Sequence, residues 1–242
     1  MDEFTPYLQR YRRGEWRAPI FRDLILSDAR KMRPSGGGVF LDIGCGCGFD
    51  NDPKLQAQIA SESGQYIGIE PDKNIRLGDF FTTTYRCRFE DAPISPGSID
   101  IGFAVMVLEH FPDPGAFWVK IHDVLRPGGV FWGFTADARH VLVRASLITE
   151  RLRIKDLYLD AIHGRRGQGR YENYPVYYKS NTPAQIERLT KDFRVRSVLN
   201  FKRIGEFNYY LPKKAGWLGR NYDRLAMLMG CPGSVLAVRV EK

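Results

Sequence analysis

The chain has 242 residues, 43% of them apolar, and a formal net charge of +8. That suits one substantial folded core and argues against a disordered or collagen-like chain. No apolar run approaches the roughly 18 residues of a membrane-crossing helix, and the N-terminal "MDEFTPYLQRYRRGEW" has no apolar core of a secretory signal.

The charge is uneven. Residues 1–136 hold 15 Lys and Arg against 18 Asp and Glu, whereas residues 137–242 hold 21 against 10, a local excess of +11. Two readings of the basic part stand, an anionic partner or a solvated basic face. Cys45, Cys47, Cys87 and Cys231 are few and irregularly spaced, which predicts reduced thiols in a cytoplasmic protein.

In chain order, "RAPIFRDLILSDARKM" (17–32) has helical apolar spacing. "PSGGG" (34–38) ends that helix and launches a strand, "VFLDIG". "QYIGIE" is a second strand ending at Glu70, "TYRCRF" (84–89) a third and "SIDIGFAVMV" (98–107) a buried fourth. "PGAFWVKIHDVLR" (114–126) is a helix, "PGG" (127–129) a turn and "VFWGFTA" (130–136) a fifth strand. Alternating strands and helices imply a parallel sheet covered on both faces. Beyond Ala136, residues 139–162 have helical character, 163–181 are loop-like, and "TPAQIERLTKDF" (182–193) opens a helix with Thr182 as N-cap, Pro183 at the first position and Gln185 at capping-box spacing. "RVRSVLNFKRI" and "SVLAVRV" are two last strands, placed to close the far edge as a hairpin. The roughly 55 residues between the fifth and sixth strands are too long for a plain connection and point to function.

The candidate chemistry centres on "LDIGCGCGFD" (41–50). Gly44, Gly46 and Gly48 follow a strand, where glycine permits positive φ and close approach of a ligand to the backbone. A following helix N-terminus would add N–H donors. Asp42, two residues before the first glycine, suits a cationic ligand end better than a pyrophosphate. Glu70, 22 residues after Gly48, stands at the interval of a carboxylate that bonds ribose hydroxyls. A nucleoside with an amino-acid tail, such as S-adenosylmethionine, satisfies both acids. Cys45 and Cys47 form a C-x-C without further ligands at metal spacing, so they read as small residues lining the loop and no metal site is predicted.

"VFLDIGCGCG", "GIEPD", "FEDAPISPGSIDIGFAVMVLEHFPDP" and "VLRPGG", in this order over roughly residues 37–136, resemble the class I S-adenosylmethionine-dependent methyltransferases, and within them the type 11 group that includes quinone and malonyl-carrier methyltransferases. The resemblance implies an α/β fold, a Rossmann-like three-layer sandwich on a seven-stranded, mostly parallel sheet of order 3-2-1-4-5-7-6 with strand 7 antiparallel. It implies S-adenosylmethionine as cofactor, with Asp42, Gly44, Cys45 and Gly46 around the methionine part, Glu70 on the ribose, and Pro71 and Asp72 beside the adenine. Arg88 stands where many relatives have Asp, which leaves Phe89, Glu90 or Asp91 as the adenine contact. Val105 and Met106 should end the fourth strand beside the sulfonium.

A neutral imidazole accepts a proton at cellular pH, so His110 and His163 are the candidate catalytic bases, while Glu109 reads as structural. The stretch "HGRRGQGRYENYPVYY" reads either as an acceptor-binding lid, in which Arg166 binds an acidic group and Tyr171, Tyr174 and Tyr178 stack on a ring, or as a surface loop whose tyrosines anchor it to the core. "YPVYYKSNTP" is similar to a stretch of methyltransferases from polysaccharide and natural-product clusters. Tyr7, Tyr11 and Trp16 either close over the cofactor or pack ordinarily.

These readings predict a single domain: an N-terminal helical cap (1–36), a cofactor core (37–136), an inserted lid (137–192) and closing strands (193–242). The expected activity is methyl transfer to a small-molecule or glycan-type acceptor, most simply on oxygen, in natural-product or polysaccharide biosynthesis. The competing readings are RNA methylation, drawn from the basic part, and a non-catalytic methyltransferase-like subunit.

Overall fold

The computed structural model describes residues 3–151, 175–206 and 216–242. Its central strands arise where short apolar runs are rich in β-branched and aromatic residues, as in VFLDI and IDIGFAV. Val39–Ile43 (β1), Gln65–Ile69 (β2), Thr83–Tyr85 (β3), Ile99–Val105 (β4), Leu125–Ala136 (β5), Val195–Phe201 (β6) and Val235–Glu241 (β7) form one sheet in the order β3-β2-β1-β4-β5-β7-β6. Only β7 runs against the rest, pairing antiparallel with both β5 and β6. The order and the reversed strand are those that the resemblance implied.

Side chains alternate across the sheet and so feed two cores. Phe40, Phe103, Trp132 and Phe134 face one side, where Ile20, Phe21, Leu24 and Ile25 of Arg17–Met32 (α2) pack with Leu55 and Ile59 of Pro53–Ser61 (α3). Phe21 stacks on Phe134 at 4.0 Å between centroids. Leu41, Ile43, Ala104 and Phe131 face the other side, against Phe117, Trp118 and Ile121 of Pro114–Val124 (α4) and Ile186 of Pro183–Leu189 (α6). Burial of each such side chain contributes about 1.5–3 kcal/mol. Thr5–Arg12 (α1) precedes α2, Val141–Arg151 (α5) follows β5, and Gly216–Leu228 (α7) lies between β6 and β7.

Several local expectations shift. The third strand ends at Tyr85, and Phe89–Asp91 form a 3₁₀ turn instead. The "PGG" turn is absorbed into β5: between the Ile99–Leu125 and Ile101–Val130 pairs the β5 chain runs longer than β4, and Gly128 takes up the bulge at φ +75°. Thr182 does cap α6 through the Gln185 N–H, but Gln185 Oε1 accepts from Asn181 rather than from the cap residue, so the capping box is displaced by one residue. The last two strands pair antiparallel, yet α7 intervenes, so they are no tight hairpin. Its wide helical spacing was hidden by two glycines and a buried acid.

Candidate functional site

The glycine loop leaves β1 at the carboxyl edge of the sheet. Gly44 sits at φ +75°, and a Cβ there would overlap the Val107 side chain. A Cβ on Gly46 would overlap the carboxylate of Glu70. These two glycines therefore let the loop close against the ends of β4 and β2. The loop is not an anion cradle. The N–H groups of Gly44 and Cys45 donate to the Ile69 carbonyl at 2.8 and 3.1 Å. The Gly46 backbone faces the Glu70 carboxylate.

The helix N-terminus expected to add donors is also spent. Pro53 has no N–H, Lys54 and Leu55 donate to Asp52 Oδ1 at 2.8 and 3.2 Å, and Gln56 donates to the Asp52 carbonyl. With these donors occupied, a pyrophosphate finds no seat, whereas a ligand read by carboxylates does.

Two acids stand over this loop. Asp42 is buried, and its Oδ2 accepts from Gln56 Nε2 at 2.8 Å and from the Tyr66 hydroxyl at 2.7 Å. Burial outweighs those donors and lifts the Asp42 carboxyl to about 6. Gln56 Nε2 also reaches the Cys45 carbonyl at 2.9 Å, which locks α3 to the loop. Glu70 is likewise held above the ordinary carboxylate range by burial, against the N–H groups of Asp72 and Gly46. Arg86 braces the following loop through the carbonyls of Asp72 and Ile75. Pro71 is exposed beside Glu70.

Cys45 turns its thiol into the core toward Gly68, where burial raises it far above its ordinary value, so Cys45 offers the site only backbone. Among the described residues no three His, Cys, Asp or Glu side chains gather as a metal set. Phe89 also points inward: its ring meets Phe117 at 5.3 Å under Lys120, which leaves half-buried Glu90 and exposed Asp91 as the polar groups of that turn.

Opposite the loop, Val105, Met106 and Val107 are half-buried. Met106 adopts φ +56°, costly for an ordinary side chain, and its N–H is pinned to the Phe134 carbonyl at 2.7 Å. The next turn is a junction. Thr135 donates to buried Glu109 at 2.7 Å, and Asn181 Nδ2 donates to Thr135 at 2.6 Å. The Glu109 carbonyl accepts from Tyr177 and Tyr178, at 2.8 and 3.3 Å. His110 Nδ1 lies 2.8 Å from the Pro175 carbonyl. Residues 175–178, with Tyr178 at φ +50°, are thus stapled to the turn carrying Glu109 and His110. His163, Arg166, Tyr171 and Tyr174 lie outside the described residues.

A second cluster at the same edge was not read from the sequence. Arg17 forms a two-pronged pair with Asp50, at 2.7 and 2.9 Å, just beyond the glycine loop. The Arg203 guanidinium, following β6, lies over the rings of Tyr11 and Trp16, at 5.1 and 5.0 Å, and its buried Nε meets no acceptor among the described residues. Glu206 is buried beside His140 (3.3 Å), accepts from the Ser234 N–H at 3.2 Å, and is lifted by burial to about 7. His140 Nδ1 accepts from Leu142 N–H at 3.3 Å, capping α5, so the neutral ring carries its proton toward Glu206. Sequence separations of up to 195 residues join this cluster (Tyr11 with Glu206).

Residues 41–133 match the family model described as a methyltransferase domain. Among curated relatives, the ubiquinone biosynthesis O-methyltransferase of Parvibaculum lavamentivorans is 33% identical over 108 residues, 43% of each chain. That of Paramagnetospirillum magneticum is 29% identical over 144 residues, 57% of this chain and 54% of the relative. The chain thus spans about half the length of these relatives. In fold, a methyltransferase from Mesorhizobium loti aligns over 95% of this chain and 99% of its own with TM-score 0.55 and 16% identity. A Haemonchus contortus phosphoethanolamine N-methyltransferase bound to phosphomonomethylethanolamine and S-adenosylhomocysteine aligns over 91% of this chain and 52% of its own, with TM-score 0.55 and 17% identity. The sheet order, the glycine loop closed onto Glu70 and these matches agree: residues 41–133 form a methyltransferase domain, set in the fold of the class I S-adenosylmethionine-dependent methyltransferases.

Proposed function

We propose that the chain transfers a methyl group from S-adenosylmethionine to oxygen on a small-molecule acceptor. The observation that carries this reading is the closure of Gly46 onto the buried Glu70 carboxylate at the mouth of β1 and β2, with the N–H groups of Gly44 and Cys45 already given to the Ile69 carbonyl. Such a site accepts a ligand through carboxylates and backbone carbonyls rather than through phosphate. Glu70 would take the ribose hydroxyls, Asp42 and the backbone of Gly44–Gly46 the methionine end, and Pro71 with Glu90 the adenine surroundings. Val105 and Met106 would flank the sulfonium.

Bound S-adenosylmethionine supplies a methyl group already activated for transfer. The protein's share is to hold the acceptor in line and dry, which contributes roughly 7–11 kcal/mol in favourable cases. His110 takes the acceptor's proton. Its Nδ1 faces a carbonyl and must carry hydrogen, so Nε2 is the nitrogen with the lone pair. General-base assistance of this kind is worth about 10²–10⁴-fold. Residues 137–192 supply acceptor recognition, with Tyr178 held against the His110 turn and residues 1–36 covering the cleft.

Oxygen is favoured by the relatives named ubiquinone biosynthesis O-methyltransferases. The +11 excess over residues 137–242 favours a second reading, an RNA acceptor. Transfer of labelled methyl from S-adenosylmethionine into a fractionated lysate of the source cells separates the two. Label is expected among small molecules or glycans. Label removed by ribonuclease would overturn the first reading, and cofactor binding with no transfer to any fraction would leave a non-catalytic subunit.

A further inference from the structure

We propose that α7 is a membrane-surface anchor for anionic lipid. Its buried side is small and polar: Gly216 and Gly219 pack inward, and Asp223 Oδ2 accepts from the N–H groups of Gly205 and Glu206 at 2.6 and 3.1 Å. The side turned to solvent is the apolar one. Trp217, Leu218, Tyr222, Leu225 and Leu228 recur there at helical spacing, between 39% and 86% exposed, and Met229 extends the stripe. Soluble chains rarely leave such a continuous patch bare without a use for it.

The charges identify the occupant. Asp223 is the helix's only acid and it is buried, while Arg220 and Arg224 stand exposed beside the apolar stripe. An apolar arc with tryptophan, tyrosine and leucine, bordered by cations alone, is the pattern of a helix lying in the headgroup layer. A second copy of the same face would set arginines against arginines with no acid on the helix to meet them. No helix among the described residues is long and apolar enough to cross a membrane, so attachment is to the surface. The Asp223 contacts tie α7 to the segment carrying Arg203 and Glu206, at the same sheet edge as the candidate cleft.

The full chain is floated at low salt with vesicles of phosphatidylcholine alone and of phosphatidylcholine mixed with phosphatidylglycerol. Flotation is expected with the mixed vesicles and not with the neutral ones. Arg220→Gln and Arg224→Gln should each weaken partitioning about fivefold. A Trp217→Ser/Leu225→Ser/Leu228→Ser variant should lose more than roughly tenfold while keeping cofactor binding and most of its thermal stability, since these side chains are more than half exposed. No flotation of the wild type, equal flotation of the triple variant, or binding to neutral and anionic vesicles alike would overturn the proposal. So would a wild-type dimer that the triple variant converts to monomer, because a second copy would then own the face.

Discussion

His110 Nδ1 stands 2.8 Å from the carbonyl oxygen of Pro175, and that single contact fixes which ring nitrogen can take a proton. A carbonyl only accepts, so the hydrogen sits on Nδ1 and the lone pair on Nε2. Replacing His110 with Ala should lower kcat by about 10²–10⁴-fold with cofactor affinity unchanged. Full turnover in this variant would exclude His110 as the base and move attention to His163.

Gly46 and Glu70 form the second testable pair. A methyl on Gly46 would collide with the Glu70 carboxylate, so Gly46→Ala must push Glu70 away from where it receives the Asp72 N–H. Glu70→Ala removes the charged acceptor altogether, a loss of about 1.5–3 kcal/mol for hydrogen bonds to a charged group. Both variants should weaken S-adenosylmethionine binding by roughly tenfold or more, read by calorimetry on the folded protein. Unchanged affinity in Glu70→Ala would remove Glu70 from the cofactor site.

Much of this site was legible in the sequence because its determinants are local. A strand, three glycines and an acid at the next strand's end are a pattern of neighbours, and the sheet order was implied by the family that those motifs resemble. Phe89 was placed at the site by alignment with a polar loop, but Phe117 and Lys120 hold its ring in the core. The Arg203, Glu206 and His140 cluster was illegible for another reason. Its members meet only because β6, β5 and the N-terminal helices end at one edge, and no spacing along the chain records that. The α7 helix escaped because its buried face is glycine and aspartate while its apolar face is turned outward, the inverse of the pattern that marks a core helix.

Asp42 and Tyr66 make a stability prediction. Tyr66→Phe leaves the buried carboxylate with Gln56 as its one remaining side-chain donor and should destabilise the protein by about 1–3 kcal/mol in chemical denaturation. A change within a few tenths of a kcal/mol would mean that Asp42 finds another donor.

Glu206 predicts a pH dependence. Burial lifts it to about 7 in the folded chain, above the ordinary glutamate value of about 4.3. An acid raised by folding favours the folded state while protonated, so its contribution is full below about pH 4 and is lost as pH rises through about 7. Buried Asp42, at about 6, has the same sign. His140 has the opposite sign, since burial lowers it and its contribution is lost as pH falls. The difference between wild type and Glu206→Gln isolates the glutamate: the variant should gain about 1–3 kcal/mol relative to wild type between pH 5 and pH 8. A difference constant across that range would show that Glu206 titrates normally.

Arg203 carries the sharpest test of acceptor recognition. Its guanidinium lies over the rings of Tyr11 and Trp16, yet its buried Nε meets no acceptor among the described residues. A buried donor left unsatisfied costs about 1–3 kcal/mol, so a group that satisfied it would be held the more tightly. An acidic group on the acceptor would complete it. Arg203→Met should therefore raise the melting temperature of the unliganded protein, because an apolar side chain over the two rings no longer strands a donor. The same variant should raise the acceptor KM by roughly 10–100-fold with S-adenosylmethionine affinity unchanged. These two effects must appear together. If Arg203→Met lowers the melting temperature and leaves the acceptor KM alone, the cation–π contacts hold the N-terminal helices in place and the acceptor binds elsewhere.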